Sequence, residues 1–97
     1  MDEATIREHA QVHGDAVVSK DLRTAGGYLA PEAMSAAQEV MGQLPKEIDT
    51  AEVFDVAVDG DGCTARIRYR GGTDEKVVAS RWEDRDGSPK IVELEVL

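Results

Sequence analysis

From Ile48 to Leu97 apolar and polar residues alternate in short runs, punctuated by Asp59-Gly60-Asp61-Gly62 and Arg85-Asp86-Gly87-Ser88. Gly and Asp tolerate the positive φ that two-residue hairpin turns require. This half therefore predicts four antiparallel strands. Folding about Gly60-Asp61 sets Phe54 opposite Ile67, Val56 opposite Ala65 and Val58 opposite Cys63, with Asp55 meeting Arg66 on the other face. Folding about Asp86-Gly87 sets Trp82 across from Ile91, Glu83 from Lys90, Ala79 from Leu94 and Val77 from Val96. A connection from Gly71 to Glu75 then brings Tyr69 beside Val77 and Ile67 beside Ala79. The expected core face collects Phe54, Val56, Val58, Ala65, Ile67, Tyr69, Val77, Ala79, Val92, Leu94 and Val96. The opposite face carries Asp55, Arg66, Arg68, Ser80, Glu93 and Glu95, together with Val53, Val78, Trp82, Ile91 and Leu97. Those five apolar residues predict an association surface, and with it a homodimer built through the outer sheet face.

Residues 1–45 change to a helical period. Ile6, Ala10, His13 and Val17 predict a first helix from Glu3 to Val18, with Thr5 and Glu8 spaced as a capping box and Gly14 marking close packing against a neighbour. Asp21 suits the N-cap of a short second helix over Leu22 to Leu29. Pro31 suits the first turn of a third, along which Met34, Ala37, Met41 and Leu44 form the apolar face before Pro45 stops it. One apolar face per helix and one per sheet gives an α+β domain. Three N-terminal helices pack on one face of a four-stranded antiparallel sheet, the whole of 1–97 forming one unit (1–45 helical, 46–97 sheet).

At 97 residues the chain supports a single modest core. A net charge of −9 removes the basic footprint that nucleic acid or an anionic membrane needs, so neither is an expected partner. Cys63 is alone, which forbids an internal disulfide, and the Met1-Asp2-Glu3 start is acidic where a signal peptide is basic. The expectation is a cytoplasmic protein.

Two stretches resemble the NTF2-like superfamily, with its SnoaL-like and ketosteroid-isomerase-like members. One runs from Lys20-Asp21-Leu22 to Tyr28-Leu29-Ala30-Pro31-Glu32-Ala33, similar to that family's "gD-l…ylaP-da" junction. The other is Trp82 through Arg85-Asp86-Gly87 to Lys90-Ile91-Val92, similar to its closing "W-rDG-kIv" strands. The resemblance implies a curved, cone-like sheet with a pocket between it and the helices. Members usually place a strand pair after the "laP-da" junction, where Glu32 to Gln43 here reads as helix; a shortened cone with a reduced pocket is implied. Since the superfamily mixes enzymes with plain binding domains, the resemblance implies fold rather than activity.

Within that arrangement His9, His13, Tyr28, Tyr69 and Arg81 are the expected pocket residues, Arg81 falling on the core face by the register above. Glu83, two residues along the same strand, is its expected ion-pair partner, and a His–Arg–Tyr cluster around a small anionic or carbonyl ligand is the sharper alternative; a small apolar or carbonyl compound is the expected ligand of the pocket. His9 and His13 share a helix face, but a zinc site needs a third ligand, and none is supplied by spacing. No metal or other cofactor is implied. The Arg66, Arg68, Arg70 stripe is expected to be neutralised by Asp55, Glu93 and Glu95 on neighbouring strands. Asp59-Gly60-Asp61-Gly62 lacks the calcium-loop glutamate, its twelfth position being Arg70.

The reading is a non-catalytic small-ligand-binding or protein-interaction module. The alternative is a degenerate SnoaL-like enzyme acting on a small carbonyl compound, with His9 or His13 as base and Tyr28, Tyr69 or Arg81 as oxyanion donors. A third possibility is an acidic surface that meets a basic protein.

Overall fold

A computed structural model describes residues 2–97. The elements are α1 (Glu3–Val18), α2 (Leu22–Gly27), a 3₁₀ turn (Pro31–Ala33) leading into α3 (Met34–Gln43), and the strands β1 (Thr50–Asp59), β2 (Gly62–Gly71), β3 (Asp74–Arg85) and β4 (Ser88–Val96). The strands form one antiparallel meander in the order β1-β2-β3-β4. α1 lies over β1 and β2, and α3 beside β4. The domain is α+β, three helices and a four-stranded antiparallel sheet.

Local chemistry sets the helix ends. Asp2, not the Thr5/Glu8 box, caps α1: its carboxylate accepts from the Thr5 amide at 2.7 Å, three residues before the expected cap. Lys20 takes a left-handed φ of 62° just beyond α1, and the Asp21 amide then donates to the Ala16 carbonyl at 2.8 Å, closing the helix in a Schellman turn. Asp21 caps α2 through the Thr24 amide and hydroxyl. At Gly14 a Cβ would come within 3.0 Å of the Ala51 Cβ, so the glycine lets α1 settle directly onto β1.

Both sheet edges are partly covered by side chain or loop. The Gln11 amide mimics a strand beside β1, donating to Ala51 O at 2.9 Å and accepting from Val53 N at 3.3 Å. On the far edge, Ile91 exchanges backbone bonds with Tyr28 O (2.7 Å) and Ala30 N (2.8 Å), which ties the α2–α3 connection to β4. Such covers remove unpaired strand groups that would otherwise recruit another chain.

The first hairpin keeps the expected Val56–Ala65, Val58–Cys63 and Asp55–Arg66 pairs, but a bulge at Phe54 makes Val53, not Phe54, the partner of Ile67. Phe54 turns outward, and the Arg68 guanidinium stacks 4.3 Å from its ring centre. The middle hairpin is tighter than expected. Gly71 pairs with Asp74 across a two-residue turn in which Gly72 has φ +59°, so Tyr69 faces Lys76 and Ile67 faces Val78. That one-residue shift reverses every side chain of β3. Val78, Ser80 and Trp82 point into the core, while Val77, Ala79 and Arg81 point out. In the last hairpin Trp82–Ile91 and Glu83–Lys90 pair as expected. A second bulge at Val92 then gives Leu94 to Ser80 and Val96 to Val78 rather than to Ala79 and Val77.

Trp82 therefore sits at the centre of the core, 0% exposed, among Ile6, Ala10, Ile67 and Ile91. Its indole N–H donates to Ser80 Oγ at 2.9 Å, and the Ser80 hydroxyl donates to Ala65 O at 3.2 Å. α3 buries Val40, and Leu44 just past its end is buried as well; Met34 and Met41, expected in the core, are each 46% exposed. Among the described residues no helix is long and apolar enough to cross a membrane.

Candidate functional site

Where α2 and α3 meet the sheet, the facing positions are small: Ala25 and Gly26 on α2, Ala37 on α3. Side chains this short leave a cavity of about 190 Å³. Its floor comes from Tyr69, Val78 and Leu94 of the sheet, and its walls from Val17, Leu29, Val40 and Leu44. Leu22 and Met41 also line it while being 64% and 46% exposed, which places them at a mouth between α2 and α3. The lining is apolar except for two side chains, His13 and Tyr69.

His13 is buried, and its ring orientation is over-determined. Nδ1 lies 3.1 Å from Ala25 O. Tyr28 and Trp82 meet the ring edge-to-face, with centroids 6.1 and 6.3 Å away. A carbonyl only accepts, so Nδ1 carries the proton and Nε2 of the neutral ring is a bare lone pair. Burial pushes the His13 pKa down to about 4 against the Ala25 hydrogen bond, so the ring is neutral at physiological pH. Tyr69 is also buried, and desolvation raises its phenol pKa, with the Asp15 carboxylate adding to the rise; it too stays neutral.

Neither His13 Nε2 nor the Tyr69 hydroxyl makes a hydrogen bond among the described residues. The one side-chain nitrogen or oxygen there that is both sealed off and without a partner is Arg68 Nε. Both side chains line the cavity, but the Tyr69 hydroxyl lies toward the α1–β1 seam, 3.8 Å from where a Gly14 Cβ would stand and beside Ala51 and Ile67.

Of the five residues that sequence placed around a pocket, His13 and Tyr69 meet at the cavity. Tyr28 does not line it; its hydroxyl lies 3.2 Å from His9 Nδ1, so His9 and Tyr28 form a separate pair on the far side of the His13 ring. Arg81 is on the opposite face of the sheet. It lies 3.8 Å from both Asp59 and Glu83 and lines an outer groove with Thr64, Glu93 and Glu95. Its expected inward position fails through the one-residue shift in β3.

The same shift, with the two bulges, corrects the expected dimer surface. Val53, Val78, Trp82 and Ile91 are all buried in the core, and Leu97 alone of the five is exposed. What the outer face carries instead is an ion-pair ladder: Arg66–Asp55 at 3.5 Å, Arg68–Glu52 at 3.1 Å and Arg70–Glu75 at 2.7 Å. Asp55 is an expected partner; Glu52 and Glu75 take the places expected of Glu93 and Glu95, which stand opposite Arg81 and Ala79. A phosphate site on the arginine stripe has no free guanidinium to offer.

Sequence reasoning missed Leu29, Val40 and Leu44 as cavity walls. The available signal was the coincidence of Ala25-Gly26 and Ala37 on two helices that must face one sheet. No group of three or more His, Cys, Asp or Glu among the described residues is arranged to hold a metal ion. No protein-family model matches the chain, and no curated protein or solved structure is significantly similar to it.

Proposed function

We propose that this chain is a non-catalytic small-ligand-binding module, a shortened member of the NTF2-like group, whose ligand occupies the cavity between the helices and the sheet. The observation that carries the reading is the lining: a space of about 190 Å³ walled by apolar side chains, with His13 and Tyr69 the two polar ones among them. Apolar pockets with a few convergent polar groups are the usual form of a small-molecule site. An apolar cavity of ~150 Å³ is large enough to take up benzene, so this one suits a molecule of about one ring. The order of three helices followed by a meander supports the family reading, as does the position of the cavity between them.

The enzymatic alternative asks His13 to act as a base. A ring with a pKa of about 4 is a poor proton acceptor at neutral pH, and no carboxylate, thiol or aliphatic hydroxyl lines the space to replace it. Binding without chemistry fits better.

Titration of the ¹⁵N-labelled protein with toluene tests the reading. Amide shifts are expected to cluster on Val17, Ala25, Val40, Leu44 and Val78, and to vanish in Ala37→Phe, which fills the cavity. Shifts scattered over the outer sheet face, or unchanged by Ala37→Phe, would refute it.

A further inference from the structure

Beside the cavity lies a second hollow, of about 310 Å³, lined among others by Val18, Lys20, Gly42 and Lys46. Val17, Met41 and Leu44 line both spaces, so the two adjoin. The only charged side chains on the second wall are Lys20 and Lys46, in a chain of net charge −9. Every arginine of the sheet is engaged by a carboxylate. The ammonium groups of Lys20 and Lys46 make neither ion pair nor hydrogen bond among the described residues, unlike Lys90, which donates to Gly27 O. Lys20 also stands at a position that favours glycine, with its φ of 62° in the turn closing α1. The carboxyl ends of α1 and α3 border this hollow and disfavour an anion, so only the two lysines can hold one there.

We infer that the ligand is a free amphipathic carboxylate, a fatty acid of about eight carbons, whose alkyl tail fills the apolar cavity and whose carboxylate lies at Lys20 and Lys46. This rests on the cavity being a ligand site and extends that site to a head group. Tail length follows from volume. An apolar cavity of ~150 Å³ admits the six carbons of benzene, and about 190 Å³ scales to about seven or eight. An alkyl tail asks for no polar partner on the cavity wall. The carboxylate stays in the open, wetted hollow, so its charge is not buried. Met41, unbranched and 46% exposed, stands where the two spaces meet, and its side chain can turn aside for the chain that joins tail to head. A net charge of −9 repels an anionic bilayer, so the occupant is a free molecule.

The test titrates the intact ¹⁵N-labelled chain at pH 7.5 with octanoate and with octan-1-ol, which share a tail length and differ in head-group charge. At ~20 mM salt octanoate is expected to bind about fivefold tighter, as one or two exposed ion pairs provide, and the ratio should fall toward one at ~0.5 M salt. Amides of Val17, Ala25, Val40 and Val78 should shift with both ligands, and those of Lys20 and Lys46 with octanoate alone. Lys20→Gly suits the left-handed φ, so it removes one charge without threatening the fold. Combined with Lys46→Gln it is expected to abolish the preference for octanoate. Equal binding of the two ligands, or a preference that survives in the double variant, overturns the head-group assignment and leaves the cavity site standing. Toluene binding without either octyl compound overturns the fatty acid in favour of a compact ligand. Sedimentation of the chain with phosphatidylglycerol vesicles overturns the free ligand in favour of a bilayer. Failure of toluene, octanoate and octan-1-ol alike overturns the ligand site itself.

Discussion

The buried, neutral His13 makes the stability of the domain depend on pH in a window where few other groups act. Its pKa is about 4 in the folded chain, lowered by burial, against an ordinary 6.5 when the chain unfolds. Above pH 6.5 both states hold the ring neutral and nothing is lost. As the pH falls through 6.5 the unfolded chain takes up a proton that the folded chain refuses, and stability declines until the folded ring also protonates near pH 4. The full difference is about 3 kcal/mol, and about 2 kcal/mol of it falls between pH 7 and pH 5. For a domain of this size that is a drop of about 10 °C in melting temperature. The carboxylates with lowered pKa values, Glu32 and Glu75 by pairing with Arg85 and Arg70, and Asp2 and Asp21 by capping helices, add their own losses only as the pH falls through about 4.5 and below. Urea denaturation at pH 7, 6 and 5, for the wild type and His13→Gln, isolates the effect, since glutamine keeps a donor for Ala25 O and does not titrate. The variant is expected to lose far less stability than the wild type over that range. Equal losses in the two proteins, or a His13 imidazole that titrates in the folded state at pH 6 or above, would show that the ring is not sealed as described.

Three further outcomes follow from the packing. Tyr69→Phe removes a hydroxyl that makes no hydrogen bond to another group among the described residues, so the free energy of unfolding should hold to within about 1 kcal/mol, and a larger loss would reveal a hidden partner. Gly71→Ala places a Cβ onto the Glu47 carbonyl oxygen, with the Pro45 Cβ 3.1 Å away; backbone cannot yield as a side chain does, so a loss of about 2 kcal/mol or more is expected by chemical denaturation. Trp82→Ala empties the centre of the core and should cost about 3–5 kcal/mol, leaving the chain largely unfolded at 37 °C by circular dichroism. A folded, unshifted Trp82→Ala protein would instead return Trp82 to the surface that the sequence reading gave it.

That reading went wrong in an instructive place. Much of the turn and cap chemistry is local and legible: Asp21 and Pro31 begin their elements, and Gly60, Asp86 and Gly87 take the positive φ that their turns need, though Asp2 rather than Thr5 caps α1. The faces of the strands were harder. Three strands carry an adjacent apolar pair, Val53-Phe54, Val77-Val78 and Ile91-Val92, and alternation cannot say which member of a doublet turns inward. The bulges at Phe54 and Val92 resolve two of them, and the two-residue turn at Gly72-Thr73 resolves the third. Assuming a longer turn there slid β3 by one residue. With that slip Trp82 falls on the outer face and Arg81 in the pocket. His13 escaped the error because a helix position does not depend on strand register, and Tyr69 because β2 kept its face.

The most direct test of the cavity is diffraction from crystals held under xenon pressure. A xenon peak is expected among Val17, Ala25, Val40, Tyr69 and Val78, close to His13. A space without xenon, closed by Met41 and Leu94 packing into it, would rule out the ligand site.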